Sequence, residues 1–224
     1  MIPRSAIALA SFIFLSAAAP DPILNRVITE ARANPPTSLA FERQTRTVSQ
    51  ENGGENESQL RVDRWDGRIF TLVSINGKPP AAKEADSFRK AAGARPVPGY
   101  YRIADLLKAG AVRLNDPQGR LVYRVTGLPK GTISVGKDVS ANVMADFFVD
   151  ASGAQPYVTR TRTVLIKPLS FFMVAKLDSL EIINDYKLDG NGKPYLAHAT
   201  QAIAGAQFGK QGTTRIESNY SMLR

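Results

Sequence analysis

Apolar residues recur at helical spacing in three stretches of this chain. The first follows Asp21, which is suited to cap a helix with Pro22 at its first position, and it stops at Pro35. The second covers 80–92 and the third covers 100–108. The apolar positions are Ile23, Val27, Ile28 and Ala31 in the first stretch, Ala81, Ala85, Phe88 and Ala92 in the second, and Tyr100, Ile103 and Leu107 in the third. This spacing predicts three amphipathic helices.

Much of the remaining chain alternates between apolar and polar residues, which is typical of half-buried strands. A strand that begins at Ser38 runs into the polar stretch 50–57, which we expect at a hairpin tip. The glycine-containing stretch 205–212 lacks the lysine and hydroxyl ending of a phosphate loop, so we interpret it as a hairpin loop. The other predicted strands are the one that holds Leu60 and Val62, and the segments 69–75, 112–114, 121–125, 132–135, 143–149, 157–166, 171–188, 195–202 and 213–220.

About ten strands and three helices predict an α+β fold. Consecutive strands separated by short turns favour an antiparallel sheet, and a sheet of so many strands must curl rather than stay flat. The helices at 80–108 interrupt the strands and are expected to cover this sheet. Because neither a repeat nor a long linker divides the chain, we predict a single domain over residues 19–224.

Residues 1–18 have the order of charge and hydrophobicity found in secretory signal peptides. Arg4 precedes an apolar run from Ile7 to Leu15, and small residues follow. The run is shorter than the ~20 residues needed to span a bilayer, and cysteine is absent, so lipoprotein processing is not expected. We therefore predict cleavage before Ala19 and export to the periplasm without lipidation.

Composition excludes several kinds of chemistry. The chain has no cysteine and one histidine, which rules out thiol nucleophiles, disulfides and cysteine zinc sites, and leaves no histidine pair for a metal. We accordingly expect neither a metal nor another cofactor. The formal net charge is +9, so an exported form would meet anionic membrane surfaces, while nucleic acid is not an expected partner there. A basic charge that serves only solubility remains the alternative.

Individual polar residues point weakly to catalysis. His198 lies between two alanines, and no serine or carboxylate stands near it in the sequence, so we expect a structural or surface position. Asp63 and Asp66 could form the carboxylate pair of a glycoside hydrolase, but Asp66-Gly67 is a turn signal. The same turn chemistry is expected of Asp189-Gly190-Asn191-Gly192.

Residues 151–177 contain four basic residues and no acidic one. In a strand, Arg160 and Arg162 face the same side, where two guanidinium groups could hold a phosphate or carboxylate. A solvated strand face is the competing interpretation. The apolar run 169–174 that follows is either a buried strand or a hydrophobic loop tip that touches lipid or a partner.

Several motifs resemble those of exported Gram-negative bacterial proteins similar to the periplasmic lipoprotein carriers and receptors of the LolA/LolB type. They are Arg64-Trp65-Asp66-Gly67, the segment Leu72 to Pro80, the helix with Phe88, and Tyr101 to Leu107. The resemblance implies a half-barrel, an open and strongly curved antiparallel sheet whose concave face is closed by helices around an apolar cavity. It identifies no catalytic residue.

The leading hypothesis is a periplasmic binding module that carries or chaperones a lipid, a lipoprotein or another amphiphilic envelope component, and that is not an enzyme. The expected ligand-binding residues are Phe88, Tyr100, Ile103 and Leu107 over the cavity, and Arg160 and Arg162 near anionic headgroups. An envelope scaffold that recruits another protein is the first alternative. A hydrolase of envelope polymers that uses Asp63, Asp66 or Asp189 is the second.

Overall fold

A computed structural model describes residues 21–171 and 175–223, so the predicted signal peptide at 1–18 lies outside the described residues. The helices are α1 (Pro22–Arg32), α2 (Ala82–Gly93) and α3 (Arg102–Lys108). The strands are β1 (Phe41–Glu51), β2 (Glu57–Trp65), β3 (Phe70–Ile75), β4 (Val112–Asn115), β5 (Leu121–Thr126), β6 (Val143–Asp150), β7 (Tyr157–Leu165), β8 (Leu169–Phe171), β9 (Ala175–Leu188), β10 (Pro194–Gln207) and β11 (Lys210–Met222).

The eleven strands of the described ranges form one antiparallel sheet with the order β3-β2-β1-β11-β10-β9-β7-β6-β5-β4, and β8 pairs with β9 beside this path. The first strand pairs with the last along its whole length, from Phe41 opposite Met222 to Glu51 opposite Gly212. Within the described residues the sheet is not closed, and β3 and β4 are its edges. The predicted α+β class with an antiparallel sheet is therefore confirmed, and an open sheet of this size fits a half-barrel.

Side chains on one side of the sheet, which we call the inner face, pack against the helices. A row of this face crosses the sheet through Thr45, Ser218, Ala199, Asn184, Thr161, Phe147 and Tyr123. The polar side chains of this row form hydrogen bonds with one another. The hydroxyls of Thr45 and Ser218 lie 3.0 Å apart, and the Asn184 amide donates to the Thr161 hydroxyl at 3.0 Å. The opposite side, the outer face, carries a row through Arg46, Glu217, Thr200, Ile183, Arg162, Asp146 and Arg124.

Helices α1 and α3 cover the β5–β6–β7 side of the inner face. Val27 and Ala31 of α1 and Ile103 and Leu107 of α3 are buried in a core that includes Phe147. Helix α1 begins where the sequence predicts, because the Asp21 carboxylate accepts hydrogen bonds from the backbone of Ile23 and Leu24 at 2.9 and 3.2 Å. The same carboxylate accepts the Tyr123 hydroxyl at 2.7 Å, which ties the cap to the sheet.

Helix α2 covers a smaller core over the other end of the sheet. Phe41, Trp65 and Phe70 form this core, and Phe88 of α2 packs edge-on against Phe70 with ring centroids 6.4 Å apart. Together α2 and α3 link the edge strand β3 to the opposite edge strand β4. The helical insertion therefore crosses the inner face from one edge to the other.

Two of the predicted strand assignments are wrong. Residues 132–135 form a loop, because the Ser140 hydroxyl accepts the Ile133 backbone N–H at 2.9 Å and the Asp138 carboxylate accepts that of Gly131. The predicted strand 171–188 is divided, since β8 ends at Phe171 and β9 starts at Ala175. The stretch 205–212 is also not a loop, because it lies largely within β10 and β11.

Candidate functional site

A groove of about 800 Å³ opens where the inner face extends past the helices. Its walls come from the β1–β2 hairpin, the loop 135–137, the β8–β9 hairpin and the β10–β11 hairpin. In the described lining there is no residue of α1, α2 or α3. Sites for small ligands commonly have volumes of about 300–1,000 Å³, so this groove is large enough to hold one.

The groove lining combines apolar, hydroxyl and charged side chains. Phe171, Leu177 and Ile203 contribute apolar surface. The charged side chains of the lining are Glu51, Glu55, Glu57, Lys137, Lys176 and Lys210. Lys210 lies 3.3 Å from Glu51, Lys176 lies 2.6 Å from Asp178, and the Lys137 ammonium lies 5.8 Å from the ring centroid of Phe171. A lining that combines apolar side chains with charges of both signs suits an amphiphile with a polar head.

Two glycines shape the groove floor. Gly205 of β10 stands opposite Gly212 of β11. The register between β9 and β10 shifts at Ala204 and Gly205, and a Cβ at Gly205 would lie 2.2 Å from the backbone oxygen of Lys176. A Cβ at Gly212 would lie 3.3 Å from the Gln50 oxygen. The sheet bends at this bulge, and only glycine permits the close approach of β9.

Phe208 stands at the tip of the β10–β11 hairpin next to the groove, with 72% of its surface exposed. Its φ is +50° and that of Gly209 is +78°, a pair of values typical of a type I′ turn. Asparagine occupies the equivalent first position of the turns at Asn52-Gly53 and Asn76-Gly77, where φ is also +50°. A bulky side chain is disfavoured in this conformation, so the exposed phenylalanine is a candidate contact residue.

The predicted cavity residues lie elsewhere. Tyr100, Ile103 and Leu107 are fully buried in the main core, and the Tyr100 hydroxyl accepts the Val158 backbone N–H at 2.8 Å. Burial raises the pKa of Tyr100, as expected of a structural hydroxyl. Phe88 is half-buried and lines a separate pocket of about 150 Å³ beside α2. These four residues and the groove therefore occupy different parts of the inner face.

Arg160 and Arg162 do share a face, as predicted, and it is the outer one. Arg160 donates to Asp185 at 2.5 Å and Arg162 donates to Glu181 at 2.7 Å. Partial burial alone would raise the pKa of Asp185, but the Arg160 guanidinium, together with His198, outweighs that effect and holds the pKa below its usual value. Acidic residues of the neighbouring strand β9 thus offset both arginine charges, which the acid-free stretch 151–177 did not reveal.

The remaining candidates have structural partners. His198 lies on β10 between Asp185 and Glu217, with nitrogen to oxygen distances of 3.4 and 3.2 Å. The turn role of Asp66 is confirmed by hydrogen bonds from Arg68 and Ile69, and that of Asp189 by those from Asn191 and Lys193. In residues 21–171 and 175–223, no cluster of three His, Cys, Asp or Glu side chains could hold a metal ion.

Comparison with known protein families and with curated proteins finds no match to this chain. Among the described helices, none has both the length and the apolar character required to cross a bilayer.

Proposed function

We propose that this protein is a periplasmic binding module that carries or chaperones an amphiphilic envelope component, such as a lipid or a lipoprotein. The observation that supports this proposal is the groove of about 800 Å³, lined by apolar and charged side chains, at the end of the inner face that the helices leave uncovered. The signal-like residues 1–18 support export, and the LolA/LolB-like motifs support the same class of ligand.

The proposal includes a concave inner face. Helices α2 and α3 connect the two edge strands of the sheet across this face. A short helical link can span the two edges more easily when the sheet curves toward it, so curvature toward the helices is the favoured geometry. The helices would then cover the β3 and β4 sides of a half-barrel, and the groove would be its open end.

Replacing Ile203 with glutamine is expected to weaken binding of a fluorescent fatty acid about tenfold, because burying an isoleucine side chain contributes roughly 1.5–3 kcal/mol. Ile203 is partly buried on the groove floor. Fluorescence titration of purified protein measures the effect. Leu60→Gln is the matched control, since Leu60 lies on the outer face of β2, and it should leave the affinity unchanged. Equal affinities of the wild type and Ile203→Gln would contradict binding in the groove.

Replacing Phe208 with asparagine is expected to weaken binding to vesicles that contain phosphatidylglycerol several-fold, and to keep or raise stability by up to ~1 kcal/mol. The gain follows because asparagine tolerates positive φ better than phenylalanine. Vesicle co-sedimentation and urea denaturation measure the two effects. Val112→Asn removes an apolar side chain that is 62% exposed on edge strand β4, and serves as the control.

The same vesicle assay distinguishes the groove mouth from the outer face. If the predicted arginine pair attracts anionic headgroups, the double variant Arg160→Gln, Arg162→Gln loses vesicle binding, most strongly at low salt. If the mouth makes the contact, the Phe208→Asn variant shows the larger loss. Mass spectrometry of material extracted from protein purified from its native periplasm then identifies the ligand. Absence of bound lipid would favour the scaffold hypothesis.

A further inference from the structure

A second pocket lies far from the groove, between α2 and the inner face of β1, β2 and β3. It holds about 150 Å³. Its lining combines three arginines with apolar side chains, namely Arg43, Arg61, Arg95, Phe70, Phe88, Ala91, Ala92, Pro96 and Pro98. Ser49 of the groove lies six positions after Arg43 in β1, a distance of roughly 20 Å along an extended strand. The two sites are therefore distinct.

One carboxylate serves two arginines in this pocket. Asp63 is fully buried and accepts both hydrogen bonds of a bidentate pair from Arg43, at 3.2 and 2.9 Å. Arg61 Nε lies 3.5 Å from the same carboxylate, which is close enough for an ion pair, but this buried Nε makes no hydrogen bond of good geometry among the described residues. Asp63 thus forms a close bidentate pair with Arg43 and only a long ion pair with Arg61.

Arg95 adds a third positive charge. It is exposed, and within the described ranges it forms no ion pair. Burial lowers the pKa of Arg61, and the nearby charges of Arg43 and Arg95 lower it further, while Asp63 acts in the opposite direction. Three guanidinium groups against one carboxylate leave the pocket with two uncompensated positive charges.

Aromatic rings hold the guanidinium groups in position. The Arg61 guanidinium lies 5.2 Å from the centroid of Phe88, and that of Arg43 lies 5.6 Å from Phe70 and 6.0 Å from Tyr220. Such contacts fix the planes of the guanidinium groups and keep water from their faces. Charges in these surroundings attract an anion more strongly than solvated surface arginines do.

We infer that this pocket binds a phosphate group, either free on a small molecule or on the head of a lipid. Two uncompensated charges match the charge of a phosphate monoester, and the arginine fork matches its oxygens. The volume admits a phosphate with a small substituent and is too small for an acyl chain, which distinguishes this ligand from the one proposed for the groove. Phe88, predicted as a ligand contact, forms one wall of this site.

Calorimetric titration of the mature protein with glycerol phosphate tests the inference. Arg61→Gln and Arg95→Gln should each weaken binding about tenfold, the loss expected for a charge-assisted hydrogen bond. Arg46→Gln is the matched control, because Arg46 lies on the outer face of the same strand β1 and carries the same charge. Because Arg61 contacts Asp63 only through a long ion pair and Arg43 keeps its bidentate bonds, the Arg61→Gln variant should remain folded, which thermal unfolding checks.

A parallel arm uses vesicles of phosphatidylcholine with phosphatidic acid. If Arg61→Gln reduces binding of both glycerol phosphate and vesicles, the pocket recognises phosphate from either source. Loss of vesicle binding alone assigns the site to a lipid headgroup. If neither ligand distinguishes Arg61→Gln and Arg95→Gln from Arg46→Gln, the inference is overturned. Fatty-acid binding in the groove should be unchanged in all three variants. A negative result for phosphate binding therefore leaves the proposed function of the groove standing.

Discussion

Replacing Asp63 with asparagine is expected to lower the free energy of unfolding by about 3 kcal/mol. The substitution removes the only carboxylate among the residues described around Arg43 and Arg61, and breaking a buried pair from one side costs roughly 3–5 kcal/mol. We take the lower end of this range because Arg61 retains 33% exposure of its side chain. Urea denaturation at neutral pH measures the change.

Glu42→Gln is the matched control for this prediction. Glu42 pairs with Arg64 at 3.0 Å between the same two strands, but on the outer face, where both side chains are well exposed. Exposed pairs contribute about 0–1 kcal/mol, so this variant should remain close to wild type. A similar small loss for Asp63→Asn would show that the inner pair does not stabilise the fold.

The Asp63→Asn variant also gives an independent test of ligand binding in the pocket of Arg43, Arg61 and Arg95. With the carboxylate removed, Arg43 and Arg61 both lack their anionic partner. A phosphate that binds the native state should then raise the stability of this variant more than that of the wild type, because a ligand stabilises the state it binds. Equal stabilisation of both proteins by glycerol phosphate would argue against binding beside Asp63.

Replacing Gly205 with alanine is expected to destabilise the protein by about 3 kcal/mol, the upper part of the range for overpacking. A Cβ there would meet the Lys176 backbone oxygen at 2.2 Å, so strand β9 or β10 would have to move. Gly212→Ala is the control on the paired strand, where the nearest atom is 3.3 Å away, so a shift of a few tenths of an ångström accommodates the Cβ and the loss should be about 1 kcal/mol or less. Thermal and urea unfolding measure the stability of both variants. Equal losses of stability would contradict a close-packed bulge at Gly205.

Helix starts, turns and most strands could be predicted because their signals are local. Asp21 caps α1 through bonds to the next few backbone N–H groups, and Asp66 accepts bonds from residues two and three positions later. Alternation along β7 correctly placed Arg160 and Arg162 on one face. The bulge opposite Phe148 and Val149 then shifted Val158 to the other face, which alternation alone does not reveal.

The candidate sites could not be predicted in the same way, because their members are distant in the sequence. The groove combines hairpin residues from 49–57 and 203–214 with Phe171 and residues 175–177. Phe208 carries a local signal, an aromatic residue before glycine between two strands, but only the fold shows what that signal means. The pocket of Arg43, Arg61 and Arg95 depends on α2 packing over β1 and β2. Glycines 205 and 212 suggested a loop because their role in a close strand approach exists only in the folded sheet.

The sequence by itself determined the α+β class, the three helices, the turns and the absence of thiol chemistry, since each depends on composition or on residues a few positions apart. Tertiary structure alone decided that the first strand pairs with the last, that Asp185 and Glu181 offset the arginines of β7, and that Asp63 serves two guanidinium groups. Periodicity specifies which side a residue faces. Only the pairing of remote strands specifies which charges and surfaces it meets there.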